Sequence, residues 1–573
     1  MSRRWIYVAL TAALATAASI WAVPRLDEPG WFAYVGQGGA GDGPPLPSLS
    51  PDLFLYPVSA QVVLLAVGVG LLVQIYSTAY LGHHPRYRSY ALIIILFLVG
   101  MIAVVGTTNL WVLLVGWEVM GLCSYLLIGH EWQTAEARAG AAKAFLVTRV
   151  ADLGLLLAIL VIGETYGTYD IVGAQIASSQ DGVASSTAIG LLVLVAVVGK
   201  SAQFPLQTWL PDAMPGPTPI TALIHAATMV AAGVYLAARL FPFYADSTVV
   251  LTAMAVVAGI TMLMGALFAL VQTDLKRALA WSTVSQLAFM FAAIAAGDPE
   301  AGTDHLISHG VFKALLFLGC GCLMHAVGSS ALAAMGGLRR SMPATFWTMS
   351  IGFAALAGVI PTVGFFTKDS VLHAIEQSAG EDGGLATGTT YVLLGVALVT
   401  SFVTAAYATR LWLRAFFGPV PDGRQEHHGH EAPRAMIGPL VVLAVATFAL
   451  SIGQPFHLGI GVVGTVIAAG GIAVVVWSWR GGSTLEWTTR PLTAELGLDR
   501  PFTSWAPAFA RGVSRTVVDL DRDGVDVYPR AGAGVAGLTS RALELVQTRN
   551  VQRYATVIAV GVLVLVVAAV IWT

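Results

Sequence analysis

Long apolar runs alternate with short polar segments along the whole chain. A helix that crosses a bilayer needs about 20 mostly apolar residues. Runs near that length without Asp, Glu, Lys or Arg cover 92–108, 182–199, 247–273, 278–297, 344–367, 389–409, 435–453 and 555–573. Further runs, some with a charge or a histidine, cover 5–23, 58–81, 109–129, 142–163, 218–238, 305–327 and 458–479. The pattern predicts an all-α polytopic membrane protein with about 15 transmembrane helices.

The composition supports the same fold class. Of 573 residues, 56% are hydrophobic and 11% are charged, whereas soluble domains carry roughly 25% charged residues. This excludes a soluble, secreted or disordered protein. The net charge of −2 argues against a nucleic-acid partner and a polyacidic substrate. The cysteines, Cys123, Cys320 and Cys322, lie inside apolar runs and predict core packing rather than a disulfide framework.

Basic residues indicate how the spans are oriented. Lys and Arg concentrate in the cytoplasmic loops of membrane proteins. Here they fall in alternate loops, which hold Arg3, Arg4, Arg86, Arg88, Arg138, Lys143, Lys276, Arg277, Arg339, Arg340, Arg410, Arg414, Arg424 and Arg434. The opposite loops 164–186, 297–304, 376–390 and 453–457 contain neither residue type, and Arg25 and Arg239 are the exceptions. We therefore expect a multi-pass protein of a bacterial inner (plasma) membrane with its N-terminus in the cytoplasm.

Residues 5–23 are interpreted as a retained membrane anchor. A cleaved signal peptide is the alternative for an apolar segment after basic residues. The sequence that follows is not convincingly small-x-small, which favours the anchor. Removal of the segment would leave the orientation of the other spans unchanged.

Ionisable side chains interrupt several spans. Charges inside a bilayer are costly, and those that persist usually face a pathway or a partner. The candidates are Glu118 in mid-span, Lys200 ahead of Pro205 and Pro211, the group His305, His309 and Lys313, and the pair Lys368 and Asp369. The spacing by four residues places the middle group on one face of a helix.

Each candidate also has a purely structural explanation. A lysine near the end of a span can extend to the lipid headgroups, which is the alternative for Lys200 and Lys368. Glu118 could simply hydrogen-bond a neighbouring helix. His305 and His309 have the spacing of a zinc pair, but no third ligand is evident in the sequence, so we expect no metal.

The lysine-bearing segments around Lys200 and Lys368 are interrupted by proline. Proline removes a helical hydrogen bond, and paired broken helices in corresponding halves are typical of inverted-repeat transporters. The sequence therefore predicts two inverted five-helix repeats, at 88–240 and 246–415. A Lys200 that alternates between pairing with Glu118 and standing alone could take up and release a proton. Histidines, which titrate near neutral pH, could pass protons along; these are His225, His305 and His309.

Several motifs resemble the antiporter-like subunits of respiratory complex I, most closely its subunit L. They include Gly-Trp-Glu-Val-Met-Gly-Leu-Cys-Ser-Tyr (116–125), Lys-Ala-Phe-Leu-Val-Thr-Arg-Val-Ala-Asp (143–152), Lys-Ser-Ala-Gln-Phe-Pro-Leu-Gln-Thr-Trp-Leu-Pro-Asp-Ala-Met (200–214), Ser-His-Gly-Val-Phe-Lys-Ala-Leu (308–315) and Gly-Phe-Phe-Thr-Lys-Asp (364–369). The resemblance covers about residues 58–573. It implies a proton-translocating subunit of an NADH–quinone oxidoreductase, without a redox centre or cofactor in this chain, driven by quinone reduction in other subunits.

The resemblance also implies roles for individual residues. Lys200 would be the central proton carrier, Glu118 its buried acid partner and His225 the next relay point. Asp152 matches a functional acid, held by Arg149 one turn earlier. The second half-channel would consist of His305, His309 and Lys313, with Lys368 and Asp369 on the exit side.

The two ends of the chain depart from the family pattern. The family starts with two spans before the helix at 58–81, whereas here one span and a polar stretch at 25–52 precede it. The tail matches a surface helix along neighbouring subunits followed by a final anchor. Glycine and proline residues in the tail predict that this surface helix is shorter or kinked. They are Gly524, Pro529, Gly532, Gly534 and Gly537.

These observations predict six regions and a set of partners. The regions are the N-terminal spans and loop at 1–87, the repeats at 88–240 and 246–415, additional spans at 416–480, an amphipathic lateral segment at 481–552 and an anchor at 553–573. The expected partners are the lipid bilayer and other membrane subunits of a respiratory complex, contacted by the lateral segment. Protons are the expected cargo, with sodium left open.

Alternative functions share the same core fold. They are the large subunit of a Mrp-type sodium/proton antiporter, the membrane subunit of an inorganic-carbon uptake complex, and a subunit linked to a membrane hydrogenase. The tail favours a multi-subunit assembly, in which it would lie along the side of neighbouring subunits. The segment Asp519-x-Asp-x-Asp-Gly524 resembles the start of a calcium loop, but its twelfth position is Arg530, so we expect no calcium there. We also expect no metal at the histidine-rich segment 426–431.

Overall fold

The computed structural model describes residues 4–26, 57–178, 183–380, 384–420, 430–483, 485, 495–498, 504, 506–546 and 550–572. Their regular secondary structure is helical. The chain divides into two compact units, Met1–Leu496 and Gly497–Thr573. Residues 27–52 of the predicted polar stretch and most of the histidine-rich segment at 426–431 lie outside the described residues.

The first unit contains nineteen helices among its described residues. Its first half comprises α1 (Arg4–Ala22), α2 (Pro57–Tyr80), α3 (Tyr87–Gly106), α4 (Leu110–Ile128), α5 (Ala135–Tyr166), α6 (Ile171–Ser178), α7 (Val183–Lys200), α8 (Trp209–Asp212), α9 (Thr218–Ala226) and α10 (Met229–Arg239). Its second half comprises α11 (Thr248–Val271), α12 (Leu275–Ala295), α13 (Pro299–Val327), α14 (Leu338–Ser341), α15 (Pro343–Ala357), α16 (Val363–Gln377), α17 (Thr387–Phe417), α18 (Arg434–Ala449) and α19 (Leu458–Arg480).

The helices confirm the predicted fold class. Twelve helical segments in the described part are long and apolar enough to cross a membrane, and two shorter apolar helices join them. This agrees with the prediction of about 15 spans in a polytopic membrane protein. The segment formed by α9 with α10 is buried throughout, as is α12 except at Arg277, so both lie at the centre of the first unit.

Local capping explains where two of the site helices begin. The side chain of Asn109 accepts hydrogen bonds from the backbone N–H groups of Trp111 and Val112, which starts α4. Thr134 accepts from Ala137 in the same way and starts α5. These caps satisfy amides that have no partner within the helix and fix the register of the residues that α4 and α5 present to α7.

Two of the apolar runs are broken. The break ahead of Lys368 was predicted from its proline, whereas the break in 218–238 corrects the sequence prediction. The run 344–367 divides into α15 and α16 because Gly358 adopts a left-handed conformation with a φ of 77°, and Pro361 cannot continue a helix. The run 218–238 divides into α9 and α10 without glycine or proline at the break. There the hydroxyl of Thr228 donates to the carbonyl of Leu223 at 2.7 Å, a local bond that competes with the helical pattern.

The predicted interruption after Lys200 is present. Helix α7 ends at Lys200, irregular turns follow, and the short helix α8 resumes at Trp209. The Nε1 of Trp209 donates to the carbonyl of Gly199 at 2.9 Å and satisfies one of the acceptors left at the end of α7. The lysine therefore sits where the helix ends inside the protein.

The second unit contains α20 (Ala506–Leu520), a π-helical turn (Asp521–Val525), α21 (Val527–Val546) and α22 (Val551–Trp572). Helices α20 and α21 are amphipathic, and α22 is a candidate membrane span, as the sequence predicted. The predicted interruption is present at Gly524, inside the π-helical turn, but not at Gly532, Gly534 or Gly537, because α21 continues through them. Pro529 lies in the first turn of α21, where a missing N–H disrupts no helical bond.

Candidate functional site

A buried ion pair lies at the end of α7. The Nζ of Lys200 is 3.3 Å from Oδ2 of Asp152, and their side chains are 0% and 3% exposed. The other carboxylate oxygen accepts a 2.6 Å hydrogen bond from Nε1 of Trp117. The ammonium also lies 4.6 Å from the centre of the Trp117 ring, close enough for a cation–π contact. Two helices, α4 and α5, thus hold the lysine in place.

A second ion pair lies between α4 and α5. Arg149 Nη1 donates to Oε2 of Glu118, and these side chains are 40% and 29% exposed. We expected Glu118 to pair with Lys200 and Arg149 to hold Asp152, and both pairings are wrong. Successive residues of a helix point about 100° apart. Because Trp117 faces Lys200, its neighbour Glu118 is turned towards Arg149.

His225 lies in the last turn of α9, just before the break. It is completely buried, and neither of its ring nitrogens has a hydrogen-bond partner among the described residues. Its ring packs against Phe317 of α13, with 4.7 Å between the centroids. His225 is thus a polar residue in the interior, between the two halves of the first unit.

The predicted polar face of α13 is buried, as the spacing by four indicates. Nδ1 of His305 hydrogen-bonds Oγ1 of Thr367 at 3.0 Å, and Ser308 contacts the same hydroxyl at 2.8 Å. His309 has no hydrogen-bond partner at either ring nitrogen among the described residues. The ring centroids of His305 and His309 are 6.3 Å apart.

Lys313 is anchored by α12. Its Nζ donates to Oγ of Ser282 at 2.6 Å and to the carbonyl of Leu279 at 3.1 Å. The Ser282 hydroxyl in turn hydrogen-bonds the hydroxyl of Tyr407 at 2.8 Å. Sequence reasoning missed Ser282 and Tyr407, because a serine and a tyrosine in apolar helices carry no signal of their partners.

Lys368 lies in α16, on the far side of the break from α15. Its Nζ donates to the carbonyl of Leu356 at 3.1 Å and lies 5.6 Å from the ring centre of Phe289. The carbonyl of Leu356 belongs to the last turn of α15, whose acceptors lack helical partners. The lysine therefore points to the interior, at the broken end of a helix, in the same manner as Lys200.

Asp369 contacts a residue outside the predicted site. Its Oδ2 accepts from the backbone N–H of His457 at 2.8 Å and lies 3.2 Å from Nδ1 of the same histidine. Its Oδ1 is buried without a protein partner among the described residues. Sequence reasoning could not join Asp369 to His457, since 88 residues separate them.

In the described part of the chain, no group of three or more His, Cys, Asp or Glu residues is arranged to hold a metal ion. The segment that resembles a calcium loop forms the end of α20 and the π-helical turn instead. What the geometry offers is a set of buried amines, carboxylates, imidazoles and hydroxyls. Such groups can accept and donate protons.

The chain matches two family models. Residues 107–395 match the model described as the transmembrane region of NADH:quinone oxidoreductase and the Mrp antiporter. Residues 48–91 match the N-terminus of chain 5 of NADH-ubiquinone oxidoreductase (complex I). Subunit L of the NADH-quinone oxidoreductase of Mycobacterium tuberculosis is 38% identical over 550 residues, which cover 89% of this chain and 85% of that protein. The chain belongs to the antiporter-like subunit family of complex I.

Other members of the antiporter-like family agree with this assignment. Subunit L from Escherichia coli is 37% identical over 457 residues, covering 76% of this chain and 72% of that protein. A chain of the Mrp complex from Dietzia sp. DQ12-45-1b has a similar structure, with a TM-score of 0.68 and 26% identity. That alignment covers 100% of this chain and 63% of the Dietzia chain. This chain is therefore an antiporter-like membrane subunit, similar in sequence to subunit L and in structure to a chain of the Mrp complex.

Proposed function

We propose that this chain is the subunit L-like component of an NADH–quinone oxidoreductase and moves protons across the membrane. The observation that carries the proposal is the buried pair of Lys200 and Asp152 at the end of a broken helix. A buried charge pair is costly to maintain and brings little stability. Its presence in the centre of a membrane subunit supports a role in ion movement.

The amines favour protons over sodium as the cargo. A lysine carries a proton as part of its own ammonium group, whereas that ammonium repels a sodium ion. Four lysines are buried in the described part of the first unit, and three of them, Lys200, Lys313 and Lys368, belong to the candidate site. A sodium pathway would be better served by oxygen ligands.

A change of ion pairing can move the proton of Lys200. Arg149 and Asp152 are three residues apart on α5 and thus share a side of the helix. If Arg149 turned from Glu118 to Asp152, it would neutralise the carboxylate that holds the ammonium. Lys200 would then lose its counter-charge and release its proton. The return of Arg149 to Glu118 would restore the pair and allow Lys200 to be protonated again.

The released proton needs a route through the interior. Both ring nitrogens of His225 and His309 are buried without protein partners in the described part. Buried polar atoms in proteins are nearly always hydrogen-bonded, and internal water is the usual partner where protein groups are absent. Histidines bridged by water would connect Lys200 to the cluster around Lys313. There the hydroxyls of Ser282 and Tyr407 can both accept and donate a proton.

The pair of Glu118 and Arg149 also supports a neighbouring membrane subunit. Both residues belong to candidate spans and are about one third exposed. Charged side chains rarely face lipid and usually face a protein interior or a water-filled cavity. We place another subunit of the complex against this face of α4 and α5. In this assembly the membrane is the bacterial inner membrane, with the N-terminus of the chain in the cytoplasm.

A Mrp-type antiporter is the second candidate, because a Dietzia Mrp chain has a similar structure. The two functions differ in what drives the ion. The test is to purify the native complex, identify its subunits and reconstitute it in liposomes. NADH oxidation by quinone that moves protons without sodium supports the proposal. Sodium-dependent proton exchange without any electron donor would replace it with the antiporter function.

A further inference from the structure

A pair of histidines lies next to the proposed exit lysine. His457 immediately precedes α19, in the loop predicted to face outward, and contacts Asp369 through both its backbone N–H and its ring. The ring of His373 stacks on that of His457, with 3.8 Å between centroids and an interplanar angle of 19°. His373 follows Asp369 by four residues and thus lies on the same face of α16.

The contacts run from the interior to the surface. The side chain of Asp369 is 1% exposed, whereas those of His457 and His373 are 26% and 29% exposed. His373 contacts Gln377 at 2.9 Å and lies 3.8 Å from Glu376, which is half exposed. Exposure therefore rises step by step along a series of groups that can each carry a proton or a hydrogen bond.

A small cavity joins the inner end of this series to the lysine. It has a volume of about 20 Å³ and is lined by Lys368, Asp369, Gly358, Ser401 and Gly461, among others. One water molecule needs about 10–15 Å³ of such volume and at least two polar partners. Oδ1 of Asp369 is buried here without a protein partner among the described residues. The cavity thus suits a single water between Lys368 and Asp369.

We infer that His457 and His373 form the outlet through which protons leave Lys368 for the outer face of the membrane. This inference rests on the proposed function and assigns its last step. The ammonium of Lys368 gives its proton through water to the carboxylate of Asp369. The carboxylic acid passes it to Nδ1 of a His457 ring that is protonated at Nε2, and the imidazolium releases the Nε2 proton to water or to His373.

The stacking of the two histidine rings favours release of the proton over its retention. Two imidazolium ions 3.8 Å apart repel each other, so a proton that arrives on one ring promotes loss of a proton from the other. Among the described residues, the charged groups in contact with the pair are Asp369 on the inner side and Glu376 on the outer side. Both lie on α16. The carboxylate of Glu376 attracts the departing proton towards the surface.

The test uses the reconstituted complex with the NADH site outside the liposome, so that the outer face of the chain points into the lumen. We expect His457→Gln to lower luminal acidification by at least about tenfold, although glutamine can still donate a hydrogen bond to Asp369. His373→Gln lowers it as well. His325→Leu is the matched control and leaves acidification unchanged. It alters an exposed histidine in the last turn of α13, at the other end of that helix from His305.

Chemical rescue separates a proton relay from a structural contact. His457→Ala leaves space for an added imidazole, so N-acetylhistidine trapped in the lumen is expected to restore acidification. Phosphate of equal buffering capacity is expected not to do so. Wild-type acidification in both glutamine variants, or equal recovery with phosphate, would overturn the outlet. Lys200→Ala is measured in parallel. If this variant pumps normally, the proposed function itself fails. If this variant loses pumping while the histidine variants pump normally, only the outlet is refuted.

Discussion

The ammonium of Lys200 lies 3.3 Å from the carboxylate of Asp152, and Trp117 holds the same carboxylate through its indole N–H. The acid that pairs with the central lysine is therefore on α5 and not the glutamate of α4. This arrangement leaves Glu118 free of Lys200 and bonded to Arg149. The two pairs are neighbours on α5, so a change in one alters the charge that surrounds the other.

Replacement of Asp152 tests the buried pair. Asp152→Asn leaves the ammonium of Lys200 without its counter-charge in the interior. Loss of one partner of a buried pair costs about 3–5 kcal/mol, so we expect reduced proton translocation and a lower unfolding temperature of the complex. Asp246→Asn, at an exposed aspartate, controls for loss of a negative charge. Normal pumping by Asp152→Asn would show that the pair is structural.

The pair of Glu118 and Arg149 is tested by exchange. Glu118→Arg and Arg149→Glu each place two like charges side by side, and we expect each variant to lose most pumping. The double variant restores an ion pair of reversed direction but leaves no cation at position 149 to neutralise Asp152, so we expect its pumping to stay low. Recovery of pumping would show that pairing alone is sufficient. Proton-to-NADH ratios measured in liposomes check this. An unchanged ratio for Glu118→Gln would instead favour a carboxylate with a purely structural role.

The hydroxyls beside Lys313 give a subtler test. Tyr407→Phe removes the hydroxyl that contacts Ser282 and keeps the ring in place. We expect slower proton translocation with intact assembly, because one donor and acceptor of the hydrogen-bonded series is lost. Tyr244→Phe removes another buried hydroxyl, one bonded to the backbone of Ala237, and should leave the rate unchanged. Equal rates in the two variants would argue against a role for Tyr407.

Glu495 supplies a test of stability rather than transport. Its carboxylate accepts hydrogen bonds from Arg277 at 2.6 Å and from Nε1 of Trp281 at 3.1 Å. Arg277 also contacts Asp212 at 3.0 Å. Arg277 is 34% exposed, but the side chain of Glu495 is only 11% exposed. Removal of one charged partner of a largely buried hydrogen bond is costly, so we expect Glu495→Gln to lower the free energy of unfolding by about 1–3 kcal/mol. Thermal unfolding of the purified complex measures this, with Glu300→Gln as the comparison at an exposed glutamate.

Hydropathy and charge alternation could predict most of the membrane helices, because length and apolar composition alone determine whether a helix can span a bilayer. Proline and glycine also marked the break at Gly358 and Pro361. The break after Ala227 could not be foreseen. It depends on the hydroxyl of Thr228 bonding to the carbonyl of Leu223, a choice made by packing and not by a helix-breaking residue.

The ionisable residues of the candidate site could be found in the sequence, since a charge in an apolar run is conspicuous. Their partners could not. The pairing of Lys200 with Asp152 depends on the rotation of α4 and α5 about their axes, which hydropathy does not determine. The same holds for His457, whose contact with Asp369 joins residues far apart in the chain. Only the packed helices show which of two nearby acids a lysine meets.

The most direct measurement of the central claim is the proton-to-NADH ratio of the complex that carries Lys200→Ala. The variant removes the ammonium beside Asp152, and co-purification of the other subunits verifies assembly. The account predicts that coupled proton translocation through this chain is abolished while the complex remains assembled. A ratio equal to that of the unaltered complex would show that protons do not pass by way of Lys200.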